Sequence, residues 1–335
     1  MRRGARGRAA RTIAGACCAL AIACVPTRRG HGVEQAGREL PLGVEAISLL
    51  GDSLRRLPLA DDTRQRYERQ LAAARAAWER HPENSDSLVW YGRRLGYLGR
   101  FRDAIDVFSR GLEQHPNDPW MLRHRGHRYI SVRAFDSAVA DLERAARRTA
   151  GQVDIVEPDG QPNESNIPIG TLQSNIRYHL GLAYYLLGRW DDALRVYRAE
   201  LAGPVNDDRR VSVTHWAYLA LCRQGRSADA AALLRPVRRD MRVIENHAYH
   251  RLALLYKGEL PVDSLLAGGR VGAAVTDVST AYGVATWLRC HDRRAEASRL
   301  YRDILATGQW GAFGYIAAEA ELKRESVRAA AKGEQ

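Results

Sequence analysis

One pattern of small and apolar residues returns every 34 positions in this chain, and it constrains the fold more than any other feature. Gly92, Ala104, Phe108 and Gly111 are answered 34 residues later by Gly126, Ala138, Leu142 and Ala145. A fixed period of that length marks a repeat architecture, in which each unit must stack on its neighbours to bury its apolar face. Each unit reads as two helices. Leu88, Tyr91, Gly92 and Leu95 form one stripe at spacings of three and four. Leu98-Gly99-Arg100 makes a turn, with Gly99 free to take a left-handed cap. Ala104, Ile105, Phe108 and Leu112 form the second stripe, and Pro116 stops it. Gly92 and Ala104 stand where the two helices should cross, so the crossing is close.

This combination resembles the tetratricopeptide repeat family. It is carried by Leu88, Gly92, Leu95, Ala104, Phe108 and Pro116, then by Leu122, Gly126, Tyr129, Ala138 and Ala145. It returns in Arg177-Tyr178-His179-Leu180-Gly181-Leu182-Ala183-Tyr184 with Ala193 and Tyr197. Weaker units follow over 214–237, 247–266 and 281–305, and 67–81 looks like an orphan second helix. With the mid-helix small position as reference, the units centre on 92, 126, 181, 218, 251 and 285. The resemblance covers about residues 62–320. It implies an all-α, right-handed solenoid of helical hairpins over 62–325, with a C-terminal cap near 313–324 and a disordered tail at 326–335.

The N-terminus reads as an export signal over 1–23. Five arginines precede a 13-residue apolar run, Ile13 to Val25, too short to span a bilayer. Ala21-Ile22-Ala23 suits cleavage, and the following Cys24 resembles the lipid-attachment cysteine of a bacterial lipobox, with Leu20 displaced by one position. The expected address is an exported, membrane-anchored lipoprotein, with plain secretion as the alternative. Residues 24–61 read as a tether, within which Val44 to Leu50 is apolar enough to dock, for instance as a cap on the first repeat. Cys222 and Cys290 lie on first helices two repeats apart, a spacing expected to keep both thiols free.

Net charge is +12, and Lys257, Lys323 and Lys332 are the only lysines. Removing Arg2, Arg3, Arg6, Arg8 and Arg11 with the leader lowers the charge by five, to +7. The arginines are spread along the helices rather than gathered, and no nucleic-acid module appears, so no nucleic-acid partner is expected.

The resemblance implies that the first helix of each hairpin lines a concave face, with the positions two and three before the reference pointing inward. Those columns hold Trp90, His124, His179, Trp216 and Tyr249, and Arg123, Tyr178 and His215; Arg93 and His127 follow the reference by one. Aromatic residues and arginine are favoured at interfaces, and arginine grips carboxylates bidentately. The expected function is therefore a scaffold that captures a protein or peptide segment, with apolar side chains on Trp90, Trp216 and Tyr249 and a carboxylate at Arg93 and Arg123. The alternative is a small-molecule or glycan site built from the His/Trp/Arg group between the second and fourth units. The histidines are read as neutral groups titrating near pH 6.5. Residues 149–171 carry 21 extra positions with a Pro158-Asp159-Gly160 turn, read as an arm that rims the groove beside His124, His127 and His179 and brings acids to it. No hydrolase, phosphate-loop, dinucleotide or zinc signature is present, so neither enzyme, cofactor nor metal is expected.

Overall fold

The computed structural model describes residues 40–266, 271, 272 and 274–333; the leader and Cys24 lie outside them. An antiparallel hairpin, β1 (Val44–Ile47) and β2 (Ser53–Arg55), comes first. Thirteen helices follow among the described residues: α1 (Asp61–Arg80), α2 (Ser85–Tyr97), α3 (Phe101–Gln114), α4 (Pro119–Ser131), α5 (Phe135–Thr149), α6 (Leu172–Leu186), α7 (Trp190–Ala202), α8 (Asp207–Arg223), α9 (Ser227–Leu234), α10 (His247–Tyr256), α11 (Val275–Cys290), α12 (Arg294–Ala306) and α13 (Phe313–Gly333). None is long and apolar enough to cross a membrane.

The pairs α2/α3, α4/α5, α6/α7, α8/α9 and α11/α12 are the expected hairpins. Their starts are set by local chemistry: Asn84, Asp118, Thr171 and Asn206 accept backbone N–H groups at the first turns of α2, α4, α6 and α8. Their crossings are set by missing side chains. A Cβ at Gly126 would lie 2.7 Å from Leu142 Cγ, and one at Gly92 or Gly181 would overlap the ring of Phe108 or Tyr197. The backbone confirms the register independently. Seven residues past each reference, Gly99, Arg133, Gly188, Gly225, Gly258 and Asp292 all take positive φ, between +58° and +77°. The turn after every first helix thus demands a left-handed residue, whatever the weaker units do elsewhere.

The fifth unit departs from the pattern. Its first helix, α10, has ten residues, and only a 3₁₀ turn (Val262–Ser264) is described where the second helix belongs. With that helix reduced, α8 and α11 pack directly against each other. The expectation of two free thiols is overturned for this reason: Cys222 and Cys290 are disulfide-bonded, with Cα atoms 6.0 Å apart. Cysteines two repeats apart meet because α8 and α11 touch directly, with the short α10 packed beside both rather than between them along their whole length.

The curl also turns the inner wall into core. Tyr185 of α6 bonds Tyr282 of α11 through their hydroxyls at 2.7 Å, and Trp216 of α8 donates Nε1–H to Tyr178 at 3.0 Å. Along this wall α13 packs on α11 and α12 and reaches α6. It is helical to Gly333, so the expected disordered tail over 326–335 is corrected as far as 333.

Residues 44–55, placed within the tether, are folded, and they join the two ends of the solenoid. Arg102 donates from its backbone N–H and side chain to Glu45, at 3.0 and 2.8 Å. Trp310 Nε1 donates to the Arg55 carbonyl at 2.6 Å, and Leu49 N–H donates to Glu319. The docking surface is therefore the junction of α3 with the C-terminal segment, rather than the first repeat alone. At its centre Arg133 and Glu319 pair at 2.7 Å with no exposed side-chain surface.

Candidate functional site

Where α2, α4, α6 and α8 converge, the insertion closes a cavity of about 420 Å³. The insertion folds back as a short arm: Val156 bridges Thr171, Glu157 N–H donates to Gly170 at 3.0 Å and Leu172 N–H to Ile155 at 2.8 Å. Arg93 and Arg94 clamp it by donating to the Pro158 and Gly160 carbonyls, each at 2.8 Å. The arm delivers Glu157 into the interior, 4 % exposed. There Asn175 donates to its Oε2 at 2.8 Å, Arg123 Nε approaches Oε2 at 3.2 Å, and Arg93 and His124 stand 4.0 and 3.5 Å from Oε1. The rimming arm and its acidic groups are thus where the sequence put them.

Positive charge dominates this cavity. Arg93, Arg123, Arg128 and Arg209 all line it. Arg209 donates to Asn175 Oδ1 at 2.6 Å and lies over the Tyr178 ring. Arg128 has no carboxylate within 4 Å among the described residues; it contacts the His127 ring and the face of Phe101. Burial, then the charges of Arg123 and Arg93, bring the Arg128 guanidinium down to about 10. Three polar atoms, Arg93 Nε, Arg123 Nε and His124 Nε2, are buried without a hydrogen bond. Such atoms are costly unless a ligand or water completes them.

The histidines behave differently from the sequence reading. Burial, then repulsion from Arg123 for His124 and from Arg128 for His127, holds both well below 6.5. Burial and then Arg123 do the same to His179, whose Nδ1 donates to the Asn175 carbonyl at 2.7 Å. Titration near pH 6.5 is therefore corrected: these are neutral imidazoles, excluded from charging by dry surroundings and adjacent guanidinium groups. The His127 and His179 rings meet at a tilt, 4.4 Å between centroids, and both contact Phe313 of α13. Among the described residues no three His, Cys, Asp or Glu side chains are gathered as a metal site.

The structure brings together Arg93, Arg123, His124, His127, Tyr178, His179 and Tyr249 on this cavity. It does not bring the other three. His215 and Trp216 are 0 % and 1 % exposed, inside the aromatic core, and Trp90 lines a separate recess between α1 and α2 with Arg93 stacked over it at 4.2 Å. Sequence reasoning missed Arg128, Arg209, Asn175, Glu245 and Phe313. Arg128 was within reach of it, two residues past the reference, a position shared with Arg94. Arg209 and Phe313 carried no such signal, because they arrive from the first turn of α8 and from the C-terminal helix.

Hairpins crossing at a small residue, left-handed turns at a constant offset and an inner wall of first helices define a helical-repeat solenoid of the tetratricopeptide type. No protein-family model and no curated protein matches the sequence. Among solved structures the chain is similar to YrrB, a TPR protein with an unusual peptide-binding site (14 % identity, 70 % of this chain and 92 % of that one, TM-score 0.40). It is also similar to a tetratricopeptide repeat protein from Parabacteroides merdae (12 %, 74 % and 90 %, 0.43) and to a Podosopora anserina putative kinesin light chain with nearly identical TPR-like repeats (15 %, 68 % and 95 %, 0.40). At such identities and scores the likeness is one of fold and carries no argument about the site.

Proposed function

We propose that the protein is an exported recognition scaffold whose binding site is the arginine-lined cavity, and that it takes there a compact acidic group, the carboxylate of a peptide or of a small molecule. The observation that carries this reading is the charge imbalance at Arg93, Arg123, Arg128 and Arg209, which meet two buried acids, Glu157 on the cavity lining and Glu200 behind Arg209 at 3.9 Å. Arginine forks in a desolvated cleft are suited to carboxylates. The footprint is local, because Trp216 lies in the core and α13 occupies the wall along which an extended segment would run. A polypeptide partner reaches the site with an acidic end or side chain. Calorimetry with citrate, acetate and inorganic phosphate, on wild type and on Arg123→Gln and Arg128→Gln, tests it. Each substitution is expected to weaken the best-bound anion by roughly tenfold, the size of a lost charged hydrogen bond. Equal affinities in all three proteins would remove the cavity from consideration.

Export is supported by the leader-like residues 1–23 and by the Cys222–Cys290 disulfide, a bond that forms in oxidising compartments. Lipid on Cys24 would add a membrane attachment. Metabolic labelling with palmitate should mark the wild type and leave Cys24→Ala unmarked; label retained in the variant rules that anchor out.

A further inference from the structure

The cavity has two electrical ends. The inner end is the arginine group around Glu157. At the outer end Asp159, from the insertion, and Glu245, from the segment before α10, line the same cavity. They come from two segments 86 positions apart in sequence. Neither has an arginine or lysine within 4 Å among the described residues. Among the described residues Asp159 makes no side-chain hydrogen bond, and Glu245 accepts one, from Asn163 Nδ2 at 2.6 Å. Burial, then the carboxylates of Glu245 and Glu157, push the Asp159 carboxyl up, against the opposing charge of Arg93. Arg93 and Arg94 bond the carbonyls on either side of Asp159, yet neither acid has an ion-pair partner within 4 Å among the described residues. Two such acids on the lining of a cavity with surplus cations inside form a field that one molecule of the right polarity neutralises at both ends.

We propose that the cavity binds a compact zwitterion, an amino acid or a dipeptide, with its carboxylate among Arg123, Arg128 and Arg209 and its ammonium at Asp159 and Glu245. The proposal rests on the reading of this cavity as the binding site for an acidic group. Size agrees, since about 420 Å³ lies at the small end of ligand sites. Tyr97, Tyr249 and Phe313 supply apolar wall for a side chain. A lone dianion such as phosphate would satisfy the inner end and leave the outer acids facing one another.

The test is a thermal-shift screen of the full chain with the common L-amino acids and a set of dipeptides, followed by calorimetry on the best binder. That binder is compared with its deaminated acid and with its decarboxylated amine. The zwitterion should bind about tenfold or more tighter than either analogue, because each analogue leaves one end of the field unmet. In an Asp159→Asn/Glu245→Gln variant, shown folded by its circular dichroism, the margin over the deaminated acid should collapse to within about twofold. If acid and zwitterion bind the wild type equally, the zwitterion is overturned while the anion site stands. If no amino acid, dipeptide, carboxylate or phosphate binds, the site and the zwitterion fall together.

Discussion

At the scale of single residues, the inner wall combines unusual backbone with unusual protonation. Arg133 takes the left-handed turn that glycine fills in four of the other units, at φ +66°, and its guanidinium is buried against Glu319. Its value lies in that long-range pair, which offsets the local strain. Glu319→Ala leaves the guanidinium buried and unpaired and should cost roughly 3–5 kcal/mol in urea unfolding. Gly181→Ala places a methyl group into the Tyr197 ring and should cost about 1–3 kcal/mol, despite the better helix propensity of alanine. The buried imidazoles set a pH dependence. A histidine whose folded pKa lies below its unfolded value, about 6.5, disfavours protonation of the folded state, so its contribution is complete above that pH and is lost as pH falls toward the folded value. His215, brought to about 3 by burial, together with His124, His127 and His179, should make stability fall from pH 6.5 downward by about 1.4 kcal/mol per pH unit for each imidazole. Thermal unfolding between pH 7 and 5 measures it. His215→Gln should flatten the slope by one proton's worth, and an unchanged slope would show that His215 is not held neutral.

At the scale of elements, the insertion and the shortened fifth unit do what ordinary repeats do not. The insertion is tied down by Asp154 accepting from Thr171 and Gln173, by Glu157 and by the Arg93 and Arg94 clamp, while Val153 and Ile155 remain exposed. Removing residues 152–168 should abolish binding in the cavity and leave the helical circular dichroism of the solenoid nearly intact, since the arm contributes no helix. Retained ligand affinity after that deletion would sink the role given to the arm. The period and the insertion were both legible in the sequence because they are local: small residues and turn formers carry them. The shortness of the fifth unit's described helices is not legible in the sequence, because residues 247–266 still show a helical stripe through Leu252 and Leu255.

At the scale of the whole molecule, the solenoid is pinned across its curl. The Cys222–Cys290 bond closes a 68-residue separation, and the chain-entropy argument gives such a loop about 4 kcal/mol. Reduction, or Cys222→Ser with Cys290→Ser, should lower the unfolding midpoint accordingly; no change would mean that the packing of α8 on α11 suffices without it. Glu321 of α13, fully buried, meets Arg223 of α8 at 3.1 Å and Arg289 of α11 at 4.0 Å, so α13 is bound to the wall by ion pairs as well as by apolar contact. Those pairs, with the hairpin contacts at Arg55 and Glu319, hold the concave face closed around the cavity.

The sequence alone determined the repeat, its register, the turn positions and the arm beside His124 and His179, since each depends on residues near one another along the chain. Tertiary structure decided which inner-wall residues line a cavity and which become core. Trp216 and His124 hold the same position in their repeats, yet one is enclosed by α6 and α11 and the other faces the cavity. That difference comes from curvature, and curvature accumulates from every crossing and from the short first helix of the fifth unit. A column of equivalent positions therefore cannot express it.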